Sequence, residues 1–131
     1  MSIRILIVDD EPDFIETMVK RFTFRKMPVT AASSGIAALK LLETDSFDVV
    51  IMDVRMPGKD GIETLKEIKK RYPLTEVIML TGHASVESGM RGMSLGAYDY
   101  VLKPVDFDEL LEKVHKAHER KLLNEGRSTS R

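Results

Sequence analysis

The sequence predicts an α/β fold, a doubly wound sheet of five parallel strands with helices on both faces. Two observations predict it. Short apolar runs alternate with amphipathic stretches five times along 131 residues. The runs are apolar throughout instead of alternating, as strands buried on both faces are, and helical stretches separate them.

Ile5-Leu6-Ile7-Val8 reads as the first strand. Pro12 opens a helix whose apolar face is Phe14, Ile15, Met18, Val19 and Phe22. Residues 28 to 32 make a weaker second strand, followed by a helix from about Ile36 to Leu42. Val49-Val50-Ile51-Met52 is the third strand. Asp60 with Glu63 three residues on resembles a capping box, opening a helix through Ile68 that ends near Tyr72-Pro73. The fourth strand is Val77 to Leu80, and a glycine-interrupted helix covers about Val86 to Leu95. Tyr98 to Leu102 is the fifth strand. Asp106 and Glu109 repeat the cap pattern before a last helix carrying Phe107, Leu110, Leu111 and Val114.

This length suits one domain with a real apolar core, read as residues 1–123. Residues 124–131 turn polar and lose the period, which suggests a tail or the start of a linker. A net charge of −1 gives no reason to expect nucleic-acid or anionic-membrane binding. With no cysteine, disulfides and thiolate metal sites are excluded. No apolar run reaches the length of a bilayer span, and Met1 to Arg4 lead directly into a strand instead of a signal peptide. A soluble cytoplasmic protein is the expectation.

Four of the five apolar runs end directly in a polar residue: Asp9-Asp10, Asp53, Thr81 and Lys103. In open α/β sheets, ligands bind outside the carboxyl ends of the strands, at the topological switch point. With strand order 2-1-3-4-5 that point lies between strands one and three. It would gather Asp9, Asp10 and Asp53, with Thr81 and Lys103 alongside. Carboxylates crowded there repel unless a cation sits among them, and Mg²⁺ suits a few oxygen ligands plus water. Carboxylate, metal, ammonium and hydroxyl are parts suited to phosphoryl transfer onto Asp53. Taken singly, each residue has a plainer reading. Asp53 would be a turn residue before Pro57-Gly58, Thr81 a cap, Lys103 a surface lysine and Tyr100 a packing residue. Those readings do not explain why all the polar groups fall at the same end of the strands.

The acidic pair, Asp53-Val54-Arg55-Met56-Pro57 with Asp60-Gly61, Thr81-Gly82 and Tyr100-Val101-Leu102-Lys103-Pro104 together resemble response regulator receiver domains over about residues 3–120. The resemblance implies a flavodoxin-like (βα)₅ fold and phosphorylation of Asp53 by a sensor histidine kinase or phosphotransfer protein. It implies Mg²⁺ held by Asp9, Asp10, Asp53 and the backbone carbonyl of Arg55, with Thr81 and Lys103 gripping the phosphoryl oxygens. It also implies a cis peptide between Lys103 and Pro104, and a Tyr100 that rotates as Thr81 moves toward the phosphate. Such a domain is a switch, not an enzyme, and catalyses only its own phosphoryl transfer and dephosphorylation. Its fourth helix, fifth strand and fifth helix would address an output domain or downstream protein, and would suit a homodimer surface. The stretches Leu80 to Val86 and Gly96 to Tyr100 are similar to receivers of sigma-54-dependent transcription activators.

Arg55 and His83, each two residues beyond a site residue, occupy variable positions that in the family tune dephosphorylation. Two bulky groups there lead us to expect a long-lived phosphoryl state. Gly89, Gly92 and Gly96 each cost about 1 kcal/mol in a helix relative to alanine, so the fourth helix should be the softest. Hydrogen exchange should show it opening more readily than the third helix. His115 and His118 are at helical spacing but lack an evident third ligand, and an exposed face is the expectation. Met90 and Met93 suit core filling or an adaptable contact surface.

Three other classes share this architecture. A phosphatase with an aspartate nucleophile needs a second acid two residues on, where Arg55 stands. A flavin binder needs a hydroxyl- and glycine-rich cradle after the first strand, where Asp9-Asp10-Glu11-Pro12-Asp13 would repel a phosphate. A degenerate receiver working by contact alone would not need the complete set of acids, threonine and lysine.

Overall fold

The computed structural model describes residues 2–56, 60–82 and 86–129. Its elements run β1 (Ile5–Val8), α1 (Pro12–Phe24), β2 (Val29–Ala32), α2 (Gly35–Thr44), β3 (Val49–Asp53), α3 (Gly61–Arg71), β4 (Glu76–Thr81), α4 (Val86–Ser94), β5 (Asp99–Leu102) and α5 (Phe107–Thr129). The strands form one sheet in the order β2-β1-β3-β4-β5, and every pairing is parallel. This is the doubly wound architecture the sequence predicts.

The continuous apolar runs are explained by alternation across the sheet. Leu6, Val8, Val50, Met52, Val77 and Met79 point to one face, where Ala38, Leu39 and Leu42 of α2 and Leu65 and Ile68 of α3 cover them. Ile5, Ile7, Val49, Ile51, Ile78 and Leu80 point to the other, against Met18 and Phe22 of α1 and Leu110, Val114 and Ala117 of α5. Every residue of β1 and β3 is therefore buried. Phe22 and Phe107 meet edge to face with centroids 4.9 Å apart, joining α1 to α5 on that second face.

The caps act largely as the sequence suggests. Asp60 accepts the Glu63 backbone N–H at 2.9 Å, and Asp106 accepts those of Asp108 and Glu109. Gly61 opens α3 hard against β3. A Cβ there would lie 2.2 Å from the Asp53 carbonyl oxygen, so only glycine lets the helix start this close to the end of the strand.

Two local readings, those of Gly96 and His118, need correction. Gly96 lies after α4, in a turn at φ +105, where its glycine character relieves strain instead of softening the helix. A Cβ on Gly89 would meet Thr81 at 3.1 Å and one on Gly92 would meet Met79 at 3.3 Å, so these glycines serve close packing of α4 on the sheet. His118 is half-buried, 4.0 Å from Asp48, while His115 is exposed. Beyond Leu123 the chain loses its apolar period but remains helical to Thr129, with Lys121 and Glu125 paired four residues apart. No helix is long and apolar enough to cross a membrane among the described residues.

Candidate functional site

The chain leaves β1 for α1 and β2 on one side, and β3 for α3 and β4 on the other. A crevice therefore opens between their carboxyl ends, beside the neighbouring ends of β4 and β5. Asp9 follows β1 and is only 1% exposed, its Oδ1 accepting the Glu11 backbone N–H at 3.0 Å. Asp53 is the last residue of β3, 8% exposed, and accepts the Arg55 N–H at 3.3 Å. Asp10 is exposed at the rim. One carboxylate oxygen from each of Asp9, Asp10 and Asp53 lies within 4.8 Å of the others. Lys103 reaches in from beyond β5. Its Nζ is 2.9 Å from Asp9 Oδ2, 3.3 Å from Glu11 Oε1 and 3.5 Å from Asp53 Oδ2.

Charge is crowded here, and the acidities respond. Burial pushes the Asp53 carboxyl above its ordinary range. The Lys103 charge opposes this, the Asp9 charge reinforces it, and the Arg55 N–H opposes it without reversing the outcome. Burial works to lower the Lys103 ammonium, but its hydrogen bond to Asp9 and the charges of Asp53 and Asp9 prevail and raise it. Lys103 thus stays a fixed cation, while Asp53 carries its charge at a cost. Hard oxygen donors at this spacing, held by a buried carboxylate that resists ionising alone, fit a divalent cation of the magnesium kind.

The other predicted residues take up neighbouring places. Thr81 ends β4, fully buried, with its hydroxyl donating to the Gly82 carbonyl at 3.2 Å. Its carbonyl accepts the Lys103 N–H at 2.8 Å, tying the ends of β4 and β5 together. The Lys103–Pro104 peptide is cis. Tyr100 is half-buried two residues before the Leu102 that pairs with Thr81, and its ring is near the path of Gly89 on α4. Arg55 is exposed. His83, Pro57 and Gly58 lie outside the described residues.

Two neighbours of Lys103 escape sequence reasoning. Glu11 supplies one of its carboxylate contacts, and the Phe14 ring centroid is 4.5 Å from its Nζ. Phe14 reads as a core residue from its spacing, and nothing in the sequence pairs either residue with one about 90 positions on.

Residues 5–115 match the family model for the response regulator receiver domain. The chain is 42% identical over 114 residues to the regulatory protein AtoC of Escherichia coli K12, covering 87% of this chain and 25% of that protein. It is 37% identical over 111 residues to the DNA-binding transcriptional regulator NtrC of Klebsiella pneumoniae, covering 85% of this chain and 24% of that one. The chain thus spans about a quarter of the length of these curated relatives. A solved response regulator receiver domain protein from Clostridium thermocellum superposes with a TM-score of 0.88 at 35% identity, covering 94% of this chain and 98% of that one. In sequence, in strand order and in fold, the chain belongs to the response regulator receiver domain family.

Proposed function

We propose that this receiver domain is switched by phosphorylation of Asp53. The observation that carries the reading is the convergence of Asp9, Asp10 and Asp53 on one point, with the Lys103 ammonium against them, in the switch-point crevice. An oxygen of the ionised Asp53 carboxylate attacks the phosphorus of a phosphohistidine or a small acyl phosphate. The new O–P bond forms as the bond to the donor breaks, and the leaving group takes the electron pair. Lys103 meets the charge on the phosphoryl oxygens, and the Thr81 hydroxyl turns to donate to one of them. Mg²⁺ held by Asp9, Asp10, Asp53 and the Arg55 carbonyl would supply further positive charge to those oxygens.

Movement of Thr81 vacates space beside Gly89, into which the Tyr100 ring turns. The change reaches the surface of α4, β5 and α5, where Met90 is 57%, Met93 40% and Leu102 39% exposed. That apolar surface suits an output domain, a downstream protein or a second receiver. Similarity to the DNA-binding transcriptional regulator NtrC favours an output in transcription, and the stretches Leu80 to Val86 and Gly96 to Tyr100 favour the sigma-54-dependent kind. Membership of the receiver family favours a histidine kinase or phosphotransfer protein as donor in the cytoplasm. Residues 1–123 are the switching unit. From their places in the sequence, two residues beyond Asp53 and Thr81, we assign to Arg55 and His83 a slowing of phosphoryl loss to water. A phosphoryl lifetime that shortens when both are replaced by alanine supports that role, and an unchanged one removes it.

The test is incubation with Mg²⁺ and acetyl phosphate, followed by intact mass. The wild type is expected to gain one phosphoryl group and Asp53→Ala none. A wild type that stays unmodified, or an Asp53→Ala variant that is modified equally, overturns the reading.

A further inference from the structure

We propose that Glu11 and Phe14 are positioning residues that seat the Lys103 ammonium at the phosphorylation site. The proposal rests on the phosphorylation reading above and adds two residues of this chain to it.

Glu11 occupies the N-cap of α1, a place where serine, threonine, aspartate and asparagine are favoured because their short side chains reach back to the helix N–H groups. Its carboxylate makes no such cap bond. It extends instead to Lys103, with Oε1 3.3 Å from Nζ. Its backbone is held for that task, because its N–H donates to Asp9 at 3.0 Å and Pro12 follows at the first helical position. Phe14 is half-buried in the first turn of the same helix and offers its ring face to the ammonium at 4.5 Å. Lys103 is thus held by Asp9 and Asp53 from within the crevice and by Glu11 and Phe14 from the first turn of α1.

The inner and outer contacts differ in what happens when the site is loaded. A cation on Asp9 and Asp53 draws off the charge that attracts Lys103 in its absence. A long lysine side chain freed from those partners has much rotamer freedom to recover. Glu11 and Phe14 are not among the clustered acids, so their hold persists, and Nζ stays at the rim to meet incoming phosphoryl oxygens.

The test uses acetyl phosphate, which needs no protein surface on α1, so loss of a docking contact cannot mimic the effect. The Mg²⁺-dependent rate of phosphorylation is measured for the wild type, Phe14→Leu, Phe14→Tyr and Glu11→Gln. Leucine keeps the apolar bulk and removes the ring face, whereas tyrosine keeps the face. Phe14→Leu should slow phosphorylation by about two- to fivefold, the size of one half-buried cation–π contact. Phe14→Tyr should restore the wild-type rate, and Glu11→Gln should slow the reaction by about twofold. Mg²⁺ affinity should be unchanged in all three. A wild-type rate in Phe14→Leu or Glu11→Gln overturns the proposal, as does equal slowing in Phe14→Leu and Phe14→Tyr. Should Phe14→Leu not fold, the tyrosine and Glu11 variants still decide. An unphosphorylated wild type would instead defeat the underlying reading.

Discussion

At the amino end of the sheet a buried carboxylate is outnumbered by cations, whereas at the carboxyl end the carboxylates outnumber theirs. Glu76, 2% exposed at the start of β4, takes hydrogen bonds from Arg120 Nε and a terminal guanidinium nitrogen at 2.5 and 2.6 Å. Lys69 Nζ stands 3.8 Å away, and the Tyr98 ring is 4.7 Å from the Arg120 carbon. Burial lowers the Lys69 ammonium, partly offset by Glu76; with two direct hydrogen bonds, the guanidinium is the principal partner. Across the sheet, Asp9, Asp53 and Glu11 all pair with Lys103, the one cation in ion-pair contact with them among the described residues, and the Asp10 carboxylate stands beside those of Asp9 and Asp53. The first cluster is satisfied and holds the second half of α5 to β4. The second is left short of positive charge, and its Asp53 is raised. Burial of charge alone does not mark a functional site; a surplus of one sign does.

The largest effect should come from breaking the satisfied cluster. Arg120→Met leaves Glu76 buried with only Lys69 nearby. Loss of a fully buried pair costs about 3–5 kcal/mol, and the half-exposed guanidinium should bring this nearer to roughly 2 kcal/mol. Thermal unfolding should fall by roughly 5–10 °C for a chain of this size. Pairing Arg120→Met with Glu76→Leu should recover most of the loss, because no charge is then stranded. A single variant as stable as the wild type would show that the amino-end pair contributes nothing.

A smaller effect of opposite sign is expected at the carboxyl end. In chelator-treated protein, Asp53→Asn should raise the midpoint of thermal unfolding, by removing a charge the fold penalises. The pH dependence follows from the direction of the shift. The folded state binds a proton on Asp53 more tightly than the unfolded chain, whose value is 3.8. Stability of the wild type therefore falls relative to Asp53→Asn as pH rises through the window above 3.8, and the gap is complete above the folded pKa. Urea unfolding of both proteins at several pH values reads this directly, and a gap that narrows with rising pH contradicts it.

Much of this was legible in the chain, for physical reasons. Five apolar runs between amphipathic helices dictate the layers, and the polar residues ending those runs disclose Asp9, Asp53, Thr81 and Lys103, because parallel strands all finish at one edge. Asp60 and Asp106 announce their helices through short-range chemistry. Glu76 is different. A charged residue at the head of an apolar run reads as flanking turn, and the strand is expected from Val77, since its partner Arg120 lies 44 positions away. Glu11 and Phe14 escape for the same reason, their contacts being with a residue across the fold. Gly96 reads as a weak helix residue until its positive φ places it in a turn. The helix beyond Leu123 is missed because its sequence is polar on every side and carries no apolar period.

The shortage of positive charge at the carboxyl end is tested most directly by thermal unfolding of the wild type and Asp53→Asn as Mg²⁺ is titrated into chelator-treated protein. A cation that binds only the folded state stabilises it by mass action. The wild type should gain stability with increasing Mg²⁺ until the site fills, while Asp53→Asn should respond far less. A wild type indifferent to Mg²⁺, or two proteins that respond alike, would contradict the account.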